Sequence, residues 1–465
     1  MRILLIVYDN GTFTHGFPMG LGYVAAVLEK ASHDVEIYAQ DFHHYPNDHL
    51  TGYLDNNHFD AIGVSLIAGY YQYRKLLALS KAINGSKDRP IYIIGGYGPT
   101  PEPEFFLKKT QADVVVMGEG EDTVVELMAA IANKSSFKNI LGIAYREGDK
   151  VYINDRRPLT QNANEITWPA YHLFPMHYYR MLRMPYAESS DFVMPMMSGR
   201  GCTFKCTFCY RMDTGYRERD VGEIIEEIRF LNKEYGINYI SFQDDLLMTS
   251  VVRTQEISDA ILSSGMKIKW ACNGRLNYCT TDLLKLMKDS GCVFINYGIE
   301  SMDNEVLKNM KKGLRVDQVI RGIEMTLKTG ISPGLNIIFG NIGDTRETLE
   351  KSVDFLLKYD DFVRIRTIRP VTPYPGSPLY ADAINKGLLE GPEDFYERKH
   401  LNSDLVSVNF TEMSDDELYE CLKWANGKLL SNYYTNVHDR ALSGVRELYD
   451  SRDPTFRGFR YEEQM

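Results

Sequence analysis

Short apolar runs alternate with segments of helical period in two separate series along this chain, and that alternation limits the fold more than any other feature. In the first series residues 3–7, 34–38, 61–66, 91–94 and 114–117 read as strands, and residues 21–30, 73–83 and 123–131 as helices. Continuous apolar strands separated by helices form parallel sheets covered on both faces. Residues 1–138 are therefore expected to be a doubly wound, Rossmann-like α/β domain. Residues 142–153 read as a small hairpin, and Pro158, Pro169 and Pro175 punctuate an aperiodic stretch, so 139–190 is taken as a linker. A second series has strands at 192–197, 237–242, 268–272, 293–297, 335–339 and 363–368. Between them Val221, Ile224, Ile225, Ile228 and Leu231 recur at helical spacing, and Thr281 is expected to cap a helix over 282–290. Six β-α units in series predict a partial (β/α)6 barrel over 191–392, with its chemistry at the carboxyl ends of the strands. Residues 393–465 read as a mostly helical tail with an amphipathic helix over 418–430.

Directly after the first strand of the second series, Cys202, Cys206 and Cys209 stand in C-x3-C-x2-C spacing. Three thiolates on one loop can hold three irons of a four-iron cluster and leave the fourth open to a ligand. Structural zinc asks for four ligands in paired spacings, and no partner pair exists. Cys272, Cys279, Cys292 and Cys421 show no grouping and read as core residues. This cysteine usage fits a reducing cytoplasm rather than a disulfide framework. The apolar N-terminus is too short for a signal peptide, and no stretch reaches membrane-spanning length. A formal charge of -11 argues against a nucleic-acid partner.

The other strand ends of the second series are polar. Asp244 and Asp245 follow the second, Asn273 and Arg275 the third, and Glu300 and Ser301 the fourth. Gly340, Gly343 and Asp344 follow the fifth, and Tyr374 to Ser377 the sixth. Five polar strand ends converging on a candidate iron-sulfur loop constitute a site. Either aspartate also reads as a helix cap, and Arg364 and Arg366, on one strand face, read equally as carboxylate partners or structural ion pairs. In the first series the strand ends carry Ser65, Gly95, Gly96, Gly118 and Gly120; none forms a G-x-G-x-x-G, so a nicotinamide cofactor is poorly supported.

The ordered set C-x3-C-x2-C, F-x-D-D, G-I-E-S, G-x-x-G and P-Y-P-G-S-P resembles the radical SAM superfamily. Within it the chain is similar to the class B methylase-like group with an N-terminal cobalamin-binding-type domain, whose G-E-G-E is matched from Gly118 to Glu121. The resemblance implies a 4Fe-4S cluster on Cys202, Cys206 and Cys209. It implies S-adenosyl-L-methionine (SAM) on the open iron, cleaved to a 5′-deoxyadenosyl radical that takes a substrate hydrogen. Phe208 beside the cluster, Asp244 or Asp245 at the SAM ammonium, Glu300 and Ser301 at the ribose, and Gly340 and Gly343 near the adenine follow as expected contacts. Cobalamin is expected against Ser65, Gly95, Gly96, Gly118 and Gly120. The group's D-x-H-x-x-G is missing, and His15, in the corresponding loop at another spacing, reads as a solvated residue or a ligand. The implied reaction modifies an unactivated carbon of a small metabolite or natural product. It does so by cobalamin-dependent C-methylation, or by rearrangement, cyclisation or dehydration without methyl transfer. An electron donor such as flavodoxin or ferredoxin is the implied partner. A tRNA methylthiotransferase would need further grouped cysteines and a basic terminal module, and a redox sensor would leave five polar strand ends unexplained.

Overall fold

The structure, a computed structural model, describes residues 1–11, 15–212, 215–452 and 454–455. The first sheet contains β1 (Arg2–Val7), β2 (Asp34–Ala39), β3 (Ala61–Ser65), β4 (Ile91–Gly95) and β5 (Val114–Val116), all parallel, in the order β2-β1-β3-β4-β5. The order reverses between β1 and β3, where doubly wound sheets open a crevice at the strands' carboxyl ends. Helices Met19–Lys30, Tyr70–Asn84 and Glu121–Ala132 cover the faces as expected. Two further helices, Asn47–Asn56 and Pro103–Thr110, were not read from the sequence. Only Leu50 and Leu54 are buried in Asn47–Asn56, too few apolar positions for a clear period.

The hairpin exists, as β6 (Ile143–Glu147) and β7 (Lys150–Ile153), but it is docked onto the sheet rather than free in a linker. β6 runs antiparallel to β5 and satisfies backbone groups that an edge strand would leave open.

The second sheet is reached through β8 (Val193–Met196), followed by the two-stranded pair β9 (Gly199–Cys202) and β10 (Gly215–Glu218). Then come β11 (Tyr239–Phe242), β12 (Lys269–Gly274), β13 (Cys292–Glu300), β14 (Ser332–Phe339) and β15 (Arg369–Pro370). All six strands of this sheet are parallel and lie in chain order, β8-β11-β12-β13-β14-β15, a partial barrel. Side chains alternate along each strand. Met194, Ile240, Trp270, Cys272, Ile295, Tyr297 and Ile337 point outward into the core shared with the helices. Val193, Tyr239, Ala271 and Phe294 point inward and form a separate apolar plug near the strands' amino ends. Above that plug the inward face is polar.

The outer helices begin at side-chain caps: Asp220 on Val221–Tyr235, Ser250 on Val251–Ser263 and Thr345 on Arg346–Lys358. Thr280, one residue before the expected Thr281, caps Thr281–Asp289. Residues 363–368 do not form the expected sixth strand, which shrinks to Arg369–Pro370. Buried Arg366 explains this. It pairs with Asp360 at 3.5 Å and Asp361 at 2.7 Å and donates to the Pro333 carbonyl, holding the segment in bends. Arg366 is thus a structural ion pair, while Arg364 is exposed with its guanidinium 6.0 Å from the Phe294 ring. In the tail, Ser414 and Glu417 form a capping box that starts a helix over Asp415–Arg446, longer than expected. No described helix is long and apolar enough to cross a membrane. Cys272, Cys279, Cys292 and Cys421 are buried, free thiols.

Candidate active site

The cysteine loop is the turn between β9 and β10, at the carboxyl end of β8. Gly201 sits at φ +90°, and any Cβ there would strike the Gly215 carbonyl, so only glycine admits this path. Thr207 straps the loop to the barrel: its N–H donates to Met310 O at 3.0 Å, and its carbonyl accepts from Leu379 at 2.8 Å. Cys206 is buried, Cys202 half-buried and Cys209 exposed. Desolvation pushes the Cys209 thiol up to about 12, and Asp245, Cys206 and Cys202 add to the rise while Lys312 opposes it. The three sulfurs therefore feel one another. Among the described residues no three metal-ligating side chains close on a single ion. Three thiols on one loop are the donor set of a cluster in which each of three irons takes one thiolate.

Asp244 and Asp245 have opposite surroundings. Asp244 is fully buried. Its carboxylate accepts from the Ser198 N–H at 3.0 Å and the Ser198 hydroxyl at 2.8 Å, fixing the chain just before β9. Burial raises its pKa to about 6 despite those hydrogen bonds. Asp245 reaches solvent at the barrel mouth, and no described residue donates a hydrogen bond to it. Desolvation by its surroundings holds its pKa above the ordinary value.

Glu300 ends β13 at φ +73°, beyond an irregularity in the pairing with β14, and is buried. Its partner is Lys312, at 2.8 Å and equally buried. The Lys312 ammonium also lies 5.6 Å from the Phe208 ring, so one cation joins the expected ribose carboxylate to the cysteine loop. Ser301 is buried, and its hydroxyl accepts from the Asp303 N–H. Asp344 gathers the turn holding Gly340 and Gly343, accepting from the N–H groups of Gly340 and Asn341 at 3.0 and 2.9 Å. Lys312 and Ser198 had no signal in the sequence, because each is defined by a partner on another element.

In the first domain, Gly96 follows β4 at φ +96°, and a Cβ there would stand 2.5 Å from the Leu66 carbonyl oxygen and 3.0 Å from the Ser65 hydroxyl. Ser65, Gly95 and Gly96 thus meet beside the β1/β3 crevice, a cradle that a side chain would fill. Beside it, Ile67 is 67% exposed and Tyr97 39% exposed, an apolar edge suited to a planar macrocycle. His15 is not a solvated residue. It is buried, with its ring 6.4 Å from Tyr178 and its Nε2 3.4 Å from the Asp9 carboxylate, which also pairs with His44.

Gly118 and Gly120 stand in the turn after β5, beside this cradle: the Gly118 N–H donates to the Thr100 hydroxyl at 3.2 Å, and that hydroxyl donates to the Gly96 carbonyl at 2.7 Å, while the same turn presents Glu119 and Glu121 to the cysteine hairpin. Arg217 of β10 pairs with Glu119 at 2.5 Å, and Arg200 of β9 pairs with Glu121 at 2.6 Å and Glu119 at 3.3 Å. All four side chains are largely buried, so this clamp joins the two sheets at the loop itself. On the other side of the loop, Tyr210 packs edge-on against Tyr97 at 5.8 Å. A Cβ on Gly376 would stand 2.5 Å from the Tyr210 ring and 3.0 Å from Pro101.

Comparison with known proteins agrees with this geometry. Residues 196–356 match the radical SAM superfamily, and residues 12–128 match the B12 binding domain. The chain is 32% identical over 401 residues to an uncharacterized methyltransferase of Pyrococcus horikoshii, covering 84% of each protein. It is 26% identical to the cytidylyl-2-hydroxyethylphosphonate methyltransferase of Streptomyces wedmorensis, covering 85% of this chain and 84% of that one. Its fold is similar to that of the radical S-adenosylmethionine methyltransferase TsrM of Kitasatospora setae, solved with cobalamin and a [4Fe-4S] cluster. The TM-score is 0.67 at 17% identity, over 83% of this chain and 75% of that one. The protein is an enzyme, and the cofactors that go with its two domains are a 4Fe-4S cluster, SAM and cobalamin. The chain belongs to the cobalamin-binding, methyltransferase-type branch of the radical SAM superfamily.

Proposed function

We propose that this enzyme methylates an unactivated carbon of a small metabolite or natural product, with the methyl group supplied through cobalamin. The observation that carries this reading is Tyr210. It directly follows Cys209, and its ring packs edge-on against Tyr97 of the first domain and lies against Gly376 of the barrel, a glycine that also closes on Pro101 of the first domain. Radical formation and methyl delivery must act on one substrate carbon, which requires the two cofactor sites to face one space. A cysteine loop seated on the strand ends of the cobalamin-type domain supports that requirement.

In this reading Cys202, Cys206 and Cys209 hold the cluster, with Phe208 packed beside it. Asp245, free at the mouth, accepts from the SAM ammonium, while Asp244 keeps the loop in shape. Glu300, held by Lys312, and Ser301 take the ribose hydroxyls, and Gly340 and Gly343 line the adenine side. Ser65, Gly95, Gly96, Gly118 and Gly120 receive cobalamin, and the turn of Gly118 and Gly120 also carries the clamp to the cysteine hairpin. Together the bound groups supply a substrate radical and a transferable methyl. A small-molecule substrate, an electron donor such as flavodoxin or ferredoxin, and the division at 138, 190 and 392 are parts of the same proposal.

A second reading, cyclisation or rearrangement without methyl transfer, is favoured by one observation: Asp9 is tied to His15 and His44 and the D-x-H-x-x-G is missing. Products separate the two. The cluster is reconstituted without oxygen and reduced with SAM, with and without methylcobalamin, in the presence of candidate substrates. 5′-Deoxyadenosine with S-adenosylhomocysteine, both dependent on cobalamin, is the expected result. Deoxyadenosine alone assigns the second reading, and absence of both overturns radical SAM chemistry here.

A further inference from the structure

The polar inward face of the barrel carries three asparagines in a row, Asn273 on β12, Asn296 on β13 and Asn336 on β14. Asn273 and Asn296 are direct partners in the sheet, and Asn336 pairs with Gly298, two residues beyond Asn296. Asn336 Nδ2 donates to Asn296 Oδ1 at 2.7 Å, and Asn296 Nδ2 donates to Asn273 Oδ1 at 3.0 Å. Asn273 Nδ2 donates in turn to the backbone carbonyl of Asp244 at 2.8 Å.

The direction of this relay follows from its end. An amide's oxygen and nitrogen are assigned by the hydrogen bonds they make, and a backbone carbonyl only accepts. Asn273 must turn its nitrogen to Asp244, which leaves its oxygen for Asn296, and the same constraint passes to Asn336. Asn336 Nδ2 also reaches the Tyr297 carbonyl at 3.2 Å, so both of its N–H groups are engaged. What remains is its Oδ1, an acceptor without a donor among the described residues, on an exposed side chain inside the barrel. Gly334 makes room for the row, because a Cβ there would collide with Asn296 Oδ1.

We infer that this row is a substrate-recognition device whose open end takes a hydrogen-bond donor, a hydroxyl or an N–H, of the small molecule that enters the barrel. The inference rests on the proposed function, which places a small substrate in that space. Because the row ends on Asp244, whose carboxylate holds Ser198 before β9, the bound donor has a fixed position relative to the cysteine loop.

The test uses the full-length chain and matched probes that differ only in the donor: cyclohexanol and its methyl ether, indole and 1-methylindole, N-methylbenzamide and N,N-dimethylbenzamide. Saturation-transfer NMR titrations give the affinities. The donor-bearing member of each pair should bind roughly ten-fold more tightly, the value of one hydrogen bond at a site that leaves its acceptor unpaired otherwise. Asn336→Leu should bring the pairs to within about two-fold, and Asn296→Leu, which frees the Asn336 amide to rotate, should reduce the preference part way. Should Asn336→Leu melt below the wild type, Asn336→Ala, which removes the acceptor without placing a new group against Asn296 or the Tyr297 carbonyl, should likewise bring the pairs together. Equal binding within pairs, an unchanged preference in Asn336→Leu, or no binding by any probe overturns the inference. Cluster loading and SAM cleavage are measured on the same wild-type preparation. Their absence alongside an intact donor preference would sink the enzymatic reading while the row stands as a binding site.

Discussion

The two parallel sheets meet at their carboxyl ends, and those two rims are built in opposite ways. The first is made of backbone: Gly95, Gly96 and Ser65 are packed so closely that a Cβ on Gly96 would collide, and the acidic residue after β1, Asp9, is tied to His15 and His44. The barrel rim is made of side chains, and most of its charges are buried in pairs, such as Glu300 with Lys312, or held by N–H groups, as Asp244 is by Ser198. A backbone cradle shapes a site for a large planar ligand by exclusion. Pre-paired charges instead hold polar groups ready for a small, charged one without the reorganisation that free side chains would need. The contrast teaches that the groups left over are the informative ones. On the barrel rim these are Asp245 and the Asn336 oxygen; on the first rim it is the exposed Ile67.

The largest expected effect falls on the cysteine loop. Replacing Cys202, Cys206 or Cys209 by Ala should abolish SAM cleavage and lower the iron bound per chain, both measured after anaerobic reconstitution; normal turnover in any one variant would break the assignment. Next, Gly96→Val should destabilise the first domain by about 3 kcal/mol, from a positive φ and a backbone collision together, and should weaken cobalamin binding in an absorbance titration. If cobalamin affinity is unaffected in folded variant, the cradle lies elsewhere. Asp244→Ala strands the Ser198 donors and should cost about 2 kcal/mol by denaturant unfolding, whereas Asp245→Asn should leave stability within about 0.5 kcal/mol. Asp245→Asn should instead weaken SAM binding roughly ten-fold, through loss of a charge-assisted hydrogen bond. The reverse pattern would exchange the roles of the two aspartates.

Glu119→Gln tests whether the rims are coupled. It weakens both arginine contacts and should cost about 1–2 kcal/mol, seen calorimetrically as a wider separation between the melting of the two sheets. An unchanged profile would mean that Tyr210 and the helices suffice to join them. The smallest effect at neutral pH belongs to His400, which lies between Tyr70 of the first domain and Tyr374 of the barrel. Among the described residues neither ring nitrogen has a hydrogen-bond partner, and burial lowers its pKa from 6.5 to about 4. The unfolded chain therefore takes up this proton before the folded one, so stability is lost as pH falls from 6.5 toward 4. His400→Leu should remove that loss, worth about 2 kcal/mol at pH 5 and close to nothing at pH 7.5, in paired unfolding curves.

Much of this site was legible along the chain. The cysteine spacing, the polar ends of the barrel strands and the G-E-G-E turn were all visible as local patterns. What that turn also does was not legible, because Glu119 and Glu121 face Arg217 and Arg200, 98 and 79 residues further on, in a hairpin whose pairing no local pattern announces. The sixth strand failed for a similar reason. Residues 363–368 have strand-like alternation, but Arg366 finds Asp360 and Asp361 at close range, and a buried ion pair outweighs β propensity. The asparagine row escaped notice because Asn273, Asn296 and Asn336 sit in three separate strands and become neighbours only when the sheet pairs.

What the sequence alone determined was the order of elements and the position of the cysteine loop. Hydrophobic period is a local property, and thiols three and four residues apart must share one turn. Only the tertiary structure decided which charged groups are free to act. Charge pairing joins Glu119 to Arg217 and Glu300 to Lys312, and hydrogen bonds from Ser198 hold Asp244. Each of those pairs forms between different elements, and burial, which makes leaving either partner alone so costly, exists only once the sheets have closed.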